Sequence, residues 1–364
     1  MACSYSKSGY YDPMKHSPSY SEQQAKLLDW FDLNRREMPW RSDAGQMPDP
    51  YHVWLSEIML QQTTVAAVEP YFKRFIERWP TVQDLAAADM EDVLAMWAGL
   101  GYYARARNLH ACANAIVQGH AGVVPSSYAE LIALPGVGPY TAAAVASIAF
   151  GLNYVAVDGN VERVTSRFFA IQSPLPKSRK EMKSAAEALG GGVNRPGDFT
   201  QAFMELGSQV CRPKNPKCHI CPWKGDCKAE RLGIAENLPV KTKKKPRPVK
   251  YANVYWIENE DGQVIVRRRP KTGILGGMME FPNSDWGLKE YPLSNPPVEG
   301  EVLKVYNQPI IHIFTHLELH LKLYKMRFAG KLPDDTYQWC QVDKLADIGL
   351  PSLMNKVKER VLSK

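Results

Sequence analysis

An all-helical domain followed by an α+β domain is the fold class that the sequence predicts, and three observations predict it. From about residue 22 to 230, short apolar-periodic segments alternate with Pro and Gly, as in a packed set of helices. The run Lys241-Thr242-Lys243-Lys244-Lys245-Pro246-Arg247-Pro248 is charged, proline-punctuated and without core residues, which reads as an exposed linker. Beyond it, aromatic and β-branched residues gather in short runs, as strands require. The chain has 364 residues, and about 150 residues per domain serves as a guide. Two domains are expected, each large enough to bury a core. The expected division is a mobile tail at 1–21, a helical domain at 22–230, a basic linker at 231–250 and an α+β domain at 251–364.

The elements follow in order. The tail is rich in Ser and Tyr and lacks helical periodicity; Asp12 and the absence of Arg count against a transit peptide. Asp49-Pro50 is an N-cap and N1 pair that opens a helix through Glu57. Ser127 and Glu130 form a capping box for a helix ending at Leu134. Pro139 starts the next helix, Thr141 to Phe150, which Gly151 closes. After the linker, Val254-Tyr255-Trp256-Ile257, a turn at Asp261-Gly262 and Val264-Ile265-Val266 predict a hairpin. Leu317, Leu319, Leu321 and Leu323 alternate with Glu318, His320 and Lys322, the pattern of a half-buried strand. Val342 to Leu362 is expected to be helical.

A net charge of +7 with interspersed aromatics points to an acidic partner, nucleic acid before membrane. No apolar run approaches the roughly 20 residues that span a bilayer, and no secretory stretch opens the chain. An intracellular protein is expected. Cys3, Cys112 and Cys340 are too scattered for a disulfide framework.

The remaining four cysteines, Cys211, Cys218, Cys221 and Cys227, have the spacing C-x6-C-x2-C-x5-C and lie among Arg212, Lys214, Lys217, Lys224 and Lys228. Four thiolates suit an iron–sulfur cluster or a tetrahedral zinc. A structural zinc site usually shows two C-x-x-C knuckles, whereas here there is one, which favours the cluster.

Gly136-Val137-Gly138 joins two predicted helices and is followed by Ala142-Ala143-Ala144-Val145-Ala146-Ser147. Backbone N–H groups unobstructed by side chains at a helix start accept phosphate oxygens, so this is a helix-hairpin-helix motif for DNA backbone. A plain tight turn is the alternative. Glu57 has Val53 and Trp54 one turn before it and Leu60 and Gln61 one turn after. Desolvation there raises a carboxyl pKa and makes a general acid, although most single glutamates lie on surfaces. Asp158 follows Val155-Ala156-Val157 and precedes Gly159-Asn160. It reads as a helix N-cap, and the same N–H donors keep a carboxylate ionised. A protonated and an ionised carboxyl side by side is the pattern of glycosidic-bond cleavage.

These segments resemble the adenine DNA glycosylases of the MutY family, within the helix-hairpin-helix iron–sulfur superfamily that includes endonuclease III. The resemblance runs from about Leu27 to the C-terminus. It rests on Met38-Pro39-Trp40-Arg41, Trp54-Leu55-Ser56-Glu57-Ile58-Met59-Leu60-Gln61-Gln62-Thr63, Gly99-Leu100-Gly101-Tyr102-Tyr103, the hairpin, Val157-Asp158-Gly159-Asn160-Val161-Glu162-Arg163-Val164, Met204-Glu205-Leu206-Gly207 and the four cysteines. It implies a 4Fe–4S cluster and the hydrolytic removal of adenine mispaired with 8-oxoguanine or guanine in double-stranded DNA, by a monomer. Glu57 is then the acid that protonates adenine at N7, and Asp158 the carboxylate that stabilises the oxocarbenium-like sugar. Tyr140 and Asn160 support them. Leu60, Gln61, Gln62, Thr63 and Tyr102, with Arg41 and Arg105, become DNA contacts, several of them filling the space left by the flipped base. Strand-cutting relatives use a lysine where Tyr140 stands, and a phenol forms no Schiff base, so base removal without strong lyase activity is expected.

The second domain resembles the family's C-terminal Nudix-like module through Gly276-Gly277-Met278-Met279-Glu280-Phe281-Pro282 and Phe314-Thr315-His316, without a glutamate-rich Nudix box. In relatives the Phe-Ser-His loop contacts 8-oxoguanine. Thr315 replaces the serine, keeping the hydroxyl and adding a methyl. Ser42 to Pro48 is longer than is common in the family. The compartment follows from the source: cytoplasm and nucleoid in a bacterium, nucleus or mitochondrion in a eukaryote. Two alternatives stay open: a thymine or uracil mismatch glycosylase or endonuclease III-like lyase, and a non-catalytic iron–sulfur DNA-binding protein.

Overall fold

Proline and glycine punctuation in the first two thirds of the chain, and β-branched runs in the last, translate into thirteen named α-helices followed or interleaved by seven strands among the described residues. The computed structural model describes residues 20–42, 46–242, 246–270, 272–289 and 296–363. Most of the expected tail, residues 43–45 of the Ser42–Pro48 segment and Lys243–Lys245 of the linker lie outside the described residues.

Contacts group Met1–Glu57 with Val124–Thr242, and Ile58–Val123 with Lys243–Lys364. This grouping is not collinear, unlike the division read from composition. Linear composition marks where the chain changes character; it carries no signal for which earlier helices a later sheet binds.

The first unit holds α1 (Ser21–Asn34), most of α2 (Pro50–Met59), α7 (Tyr128–Ala133), α8 (Pro139–Ile148), α9 (Gly159–Phe168), α10 (Arg179–Gly190), α11 (Pro196–Glu205) and the short α12 (Lys228–Arg231). Helix α1 starts at Ser21, the last residue assigned to the tail. Its Leu27 and Phe31 pack with Val161, Val164, Phe168, Leu189, Phe199, Phe203 and Trp223 in one core. Asp49 caps α2, its Oδ1 accepting from the Tyr51 amide at 2.7 Å. Ser127 caps α7 through the Glu130 amide at 3.2 Å, and its hydroxyl donates to the Glu130 carboxylate.

Helix α8 is buried along Thr141–Ile148. Its small residues let α11 approach so closely that a Cβ on Gly197 would meet the Ser147 carbonyl oxygen at 2.7 Å. Between α7 and α8, Gly136 takes φ +74°, a conformation that side chains disfavour, while Val137 is buried and anchors the turn.

The second unit holds α3 (Val65–Arg78), α4 (Val82–Ala87), α5 (Met90–Trp97), α6 (Ala104–Gly119), all seven strands and α13 (Ser352–Leu362). The strands are β1 (Val249–Glu258), β2 (Gln263–Arg268), β3 (Met279–Glu280), β4 (Glu301–Val305), β5 (Ile310–Ile313), β6 (Glu318–Arg327) and β7 (Tyr337–Gln341). They form a mixed sheet in the order β3-β2-β1-β6-β4, with β5 also on β6 and β7 also on β2. β1 and β6 run parallel, and the other pairs antiparallel.

The expected hairpin is β1–β2, and the alternating leucines of β6 face the core with Val254, Trp256 and Phe281. The expected C-terminal helix is divided. A 3-10 turn covers Val342–Ala346, Gly349 takes φ +68°, and α13 begins only after Pro351. A left-handed glycine followed by proline ends one helical segment before the next.

Candidate active site

Two carboxyl side chains lie within electrostatic reach of each other in the first unit, delivered by α2 and α9 from opposite kinds of helix position. Glu57 sits near the C-terminal end of α2, between Trp54 and Ile58, and is 7 % exposed. Asp158 is the N-cap of α9: its Oδ1 accepts from the amides of Asn160 and Val161 at 2.9 and 2.8 Å. Its Oδ2 accepts from the Asn160 side-chain amide at 2.7 Å. Three N–H donors thus converge on this carboxylate at the start of α9.

Glu57 stands in the opposite environment. Burial raises its carboxyl pKa to about 7. The Tyr140 hydroxyl opposes the rise, the charge of Asp158 adds to it and Arg41 opposes it. Tyr140 comes from the first turn of α8 and donates to Glu57 Oε2 at 2.9 Å. Burial, and then the negative charge of Glu57 and Asp158, push its phenol well above the usual range, so it acts as a donor. Its hydroxyl also lies 3.6 Å from Met204 Sδ. With Oε2 held by Tyr140, a proton carried on Glu57 is directed to Oε1. Glu57, Tyr140, Asp158 and Asn160, the four expected catalytic residues, are thus brought together.

Behind them α11 runs into a π-helical turn, Leu206–Val210, a local widening found often at functional sites. Glu205, at the junction, is 1 % exposed. Its carboxylate pairs with Arg41, lies 3.5 Å from the Arg36 Nε and accepts from Gln209. Arg41 was expected among the DNA contacts. Instead its Nη1 is turned inward to Glu205 and to the Arg36 carbonyl at 2.9 Å, because a buried carboxylate needs a partner. Glu205 and Met204 enter the sequence reading only within the motif Met204-Glu205-Leu206-Gly207, with no role assigned, and Arg36 does not enter it. Apart from that motif, a lone acidic residue in an apolar helical run is not separated by local pattern from a surface glutamate.

The π turn also brings Gly207 against α9: a Cβ there would meet the Asn160 Cβ at 2.6 Å and its carbonyl oxygen at 3.1 Å. Gly207→Ala is expected to displace Asn160 and destabilise the protein by about 1–3 kcal/mol. Thermal unfolding and excision kinetics check this, and both should fall.

One turn after Asn160, Arg163 donates to the Asn160 Oδ1 at 2.9 Å, the Gly207 carbonyl at 2.6 Å and the Cys211 carbonyl at 2.7 Å. Arg167, one turn further, donates to Cys211 Sγ at 3.3 Å. Among the described residues no three His, Cys, Asp or Glu side chains close on one point as a single ion requires. Cys211, Cys218, Cys221 and Cys227 instead line a common cavity with Val210, Pro216 and Trp223. Burial pushes the Cys221 thiol up to about 12 and raises Cys218 and Cys227. Thiolates in such a place need compensating iron, and an all-sulfur donor set around a cavity fits a cluster.

In the second unit the wedge candidates are presented by strained backbone. Gln62 and Tyr102 have φ +64° and +50°, a cost that persists where function or packing demands it. Tyr102 is 52 % exposed, large for an aromatic side chain. Leu60, Gln61 and Thr63 are half-buried in the turn after α2.

Arg105 departs from expectation. It is buried and spends its guanidinium on the carbonyls of Ile58, Met59, Leu100 and Gly101 at 2.9–3.2 Å. It ties the turn after α2 to the Leu100–Gly101 segment. In the same unit, the Tyr102 hydroxyl is 2.8 Å from Thr315 Oγ1. Phe314, Thr315 and His316 form the tip of the β5–β6 hairpin, closed by the Phe314 amide on the Leu317 carbonyl at 2.8 Å.

Three family models match the chain: the HhH-GPD superfamily of base excision DNA repair proteins over residues 55–190, the iron-sulfur binding domain of endonuclease III over 211–227, and a NUDIX domain over 253–360. The human adenine DNA glycosylase is 33 % identical over 91 % of this chain and 72 % of its own length. The chain belongs to the adenine DNA glycosylase family. Another relative of that name, from Buchnera aphidicola of Schizaphis graminum, is 32 % identical over 92 % of this chain and 96 % of its own. A thermostable thymine-DNA glycosylase of known structure covers 58 % of this chain at 28 % identity with a TM-score of 0.52, and 97 % of that chain is matched. The glycosylase shares the helical fold with it, and the NUDIX match accounts for the sheet that follows. An iron–sulfur cluster is the cofactor of this glycosylase, and the matched binding domain runs from Cys211 to Cys227.

Proposed function

We propose that this glycosylase flips adenine out of double-stranded DNA and hydrolyses its N-glycosidic bond where the adenine is mispaired with 8-oxoguanine or guanine, without strong lyase activity. The observation that carries the reading is the pair of carboxyl groups in unlike surroundings, Glu57 buried against Tyr140 and Asp158 held by three N–H donors. Glu57 delivers its proton to adenine N7, which turns the base into a neutral leaving group. Asp158 faces the positive charge that develops on the sugar and stabilises it electrostatically. Tyr140 fixes the Glu57 carboxyl and offers no amine for a Schiff base. Glu205, neutralising Arg41, limits the pull of that guanidinium on the Glu57 proton.

The Gly136–Gly138 turn supports backbone binding, and Leu60, Gln61, Gln62, Thr63 and Tyr102 support wedging into the duplex. Phe314, Thr315 and His316 are proposed as the reader of the oxidised guanine, supported by the contact of Thr315 with Tyr102. The functional division is proposed to follow the sequence, with excision in 22–230 and reading in 251–364, joined by the basic segment 231–250. No helix among the described residues is long and apolar enough to cross a membrane. Action as a monomer inside the cell, on its DNA, completes the proposal.

Single-turnover cleavage of adenine opposite 8-oxoguanine and opposite guanine, with thymine and uracil mismatches alongside, tests this. Adenine release is expected, and release of thymine alone would reject it. Phe314→Ala is expected to lower the preference for 8-oxoguanine about tenfold, measured as the ratio of the two adenine rates. An unchanged ratio would remove the hairpin tip from the reading role.

A further inference from the structure

The reader hairpin is held from several sides. Tyr102 touches the Thr315 hydroxyl, and Arg247 Nε donates to the Thr315 carbonyl at 3.2 Å. The Phe314 ring is flanked by Trp286 at 5.7 Å and by His312 at 4.6 Å between centroids. Trp286 is itself fixed by Asn283 and covered by the Arg269 guanidinium. His312 is different in kind, since its imidazole is the ring that charges in acid and it lies directly against Phe314. It pairs across the ladder with Leu319, while its neighbours Ile311 and Ile313 pair with His320 and Glu318. Alternation along β5 therefore turns His312 to the inner face, with Ile310, Leu319, Leu321 and the α13 residues Leu353, Met354 and Val357 of the core.

We propose that His312 is a positioning residue for 8-oxoguanine discrimination: its neutral ring seats Phe314 at the base of the reader hairpin, and its protonation unseats it. The proposal rests on the reading of that hairpin given above.

Three observations carry it. The ring packs on Phe314 from two residues before it on the same face of the strand. Its Nδ1 is buried without a hydrogen-bond partner among the described residues, which a neutral ring tolerates as an acceptor but a cationic ring, with both nitrogens as donors, does not. The charged group acting on it is Lys356 of α13, whose Nζ donates to the Ile311 carbonyl at 2.9 Å. Glu318 and His320 of β6, paired with each other at 2.7 Å, lie on the opposite face and offer no compensation. Burial first, and Lys356 second, lower the imidazole below its ordinary range. His312 is thus neutral at neutral pH and charges only in acid.

The test measures single-turnover adenine excision opposite 8-oxoguanine and opposite guanine for the full-length holoenzyme, His312→Ala and His312→Phe. Taking the ratio of the two rates cancels the titration of Glu57, which both substrates share. His312→Ala is expected to lower the ratio about tenfold at neutral pH, because a displaced contact residue loses its geometry. His312→Phe, which keeps a neutral ring, is expected to stay within about twofold. Lowering the pH through the acid range in which His312 charges should erode the ratio in the wild type but not in His312→Phe.

A ratio unchanged in His312→Ala, or lost equally in His312→Phe, or flat in acid for the wild type, would overturn the proposal. A wild type with no preference at any pH would instead remove the reader function itself. In that case the Phe314 ring resonances in the DNA-free protein decide the positioning: they are expected to shift in His312→Ala and, in acid, in the wild type alone, and immobile resonances overturn it.

Discussion

Glu57→Gln is expected to lower the rate of adenine excision about a thousandfold while leaving duplex affinity nearly unchanged. The substitution keeps the shape of the side chain and an acceptor for the Tyr140 hydroxyl, but it removes the proton proposed to make adenine a leaving group. General acid catalysis contributes about a hundred- to ten-thousandfold. Single-turnover kinetics and a binding isotherm on the same mismatched duplex separate the two effects. Normal excision would contradict the acid assignment, and lost binding would show a structural role instead.

The same variant has a stability signature with a definite sign. The folded-state pKa of Glu57 lies above its ordinary value, 4.5 against about 7. Its contribution to stability is therefore fully present below pH 4.5 and is lost as the pH rises through about 7. Glu57→Gln should match the wild type in acid and be the more stable protein above neutrality, by an amount on the order of 3 kcal/mol. Thermal unfolding across this range reads the crossover.

Asp158→Asn carries the second large effect, an expected loss of about a hundred- to a thousandfold in excision. Asparagine caps helices as well as aspartate does, so α9 should keep its start and the fold its stability. What disappears is the negative charge proposed to face the sugar. The charge also helps to hold the proton on Glu57, so the alkaline limb of the pH–rate profile should move to lower pH in this variant. A near-normal rate would leave Asp158 with nothing beyond its cap.

Local chemistry explains how much of this was legible in the sequence. Asp49 and Pro50, Ser127, and Asp158 are capping residues whose effect lies within a few positions of themselves, and all three helix starts fall where they indicate. The cysteine spacing and the Gly136 turn are equally local. The inward turn of Arg41, the buried carboxylate of Glu205 and the carbonyl-capping role of Arg105 depend on partners up to 169 residues away, and no periodicity records them. For the same reason the grouping of residues 58–123 with the C-terminal sheet was invisible to a reading that followed composition along the chain. The division of the C-terminal helix is written in Gly349 and Pro351, which interrupt the helical periodicity around them.

The most direct measurement is a carbon-13 titration of the glutamate side-chain carboxyls in the free holoenzyme, with Glu57→Gln identifying the resonance. The account requires that signal to titrate near neutrality, at about 7, and to move downward in Asp158→Asn. A Glu57 carboxyl that loses its proton at an ordinary 4.5, indifferent to Asp158, would contradict it.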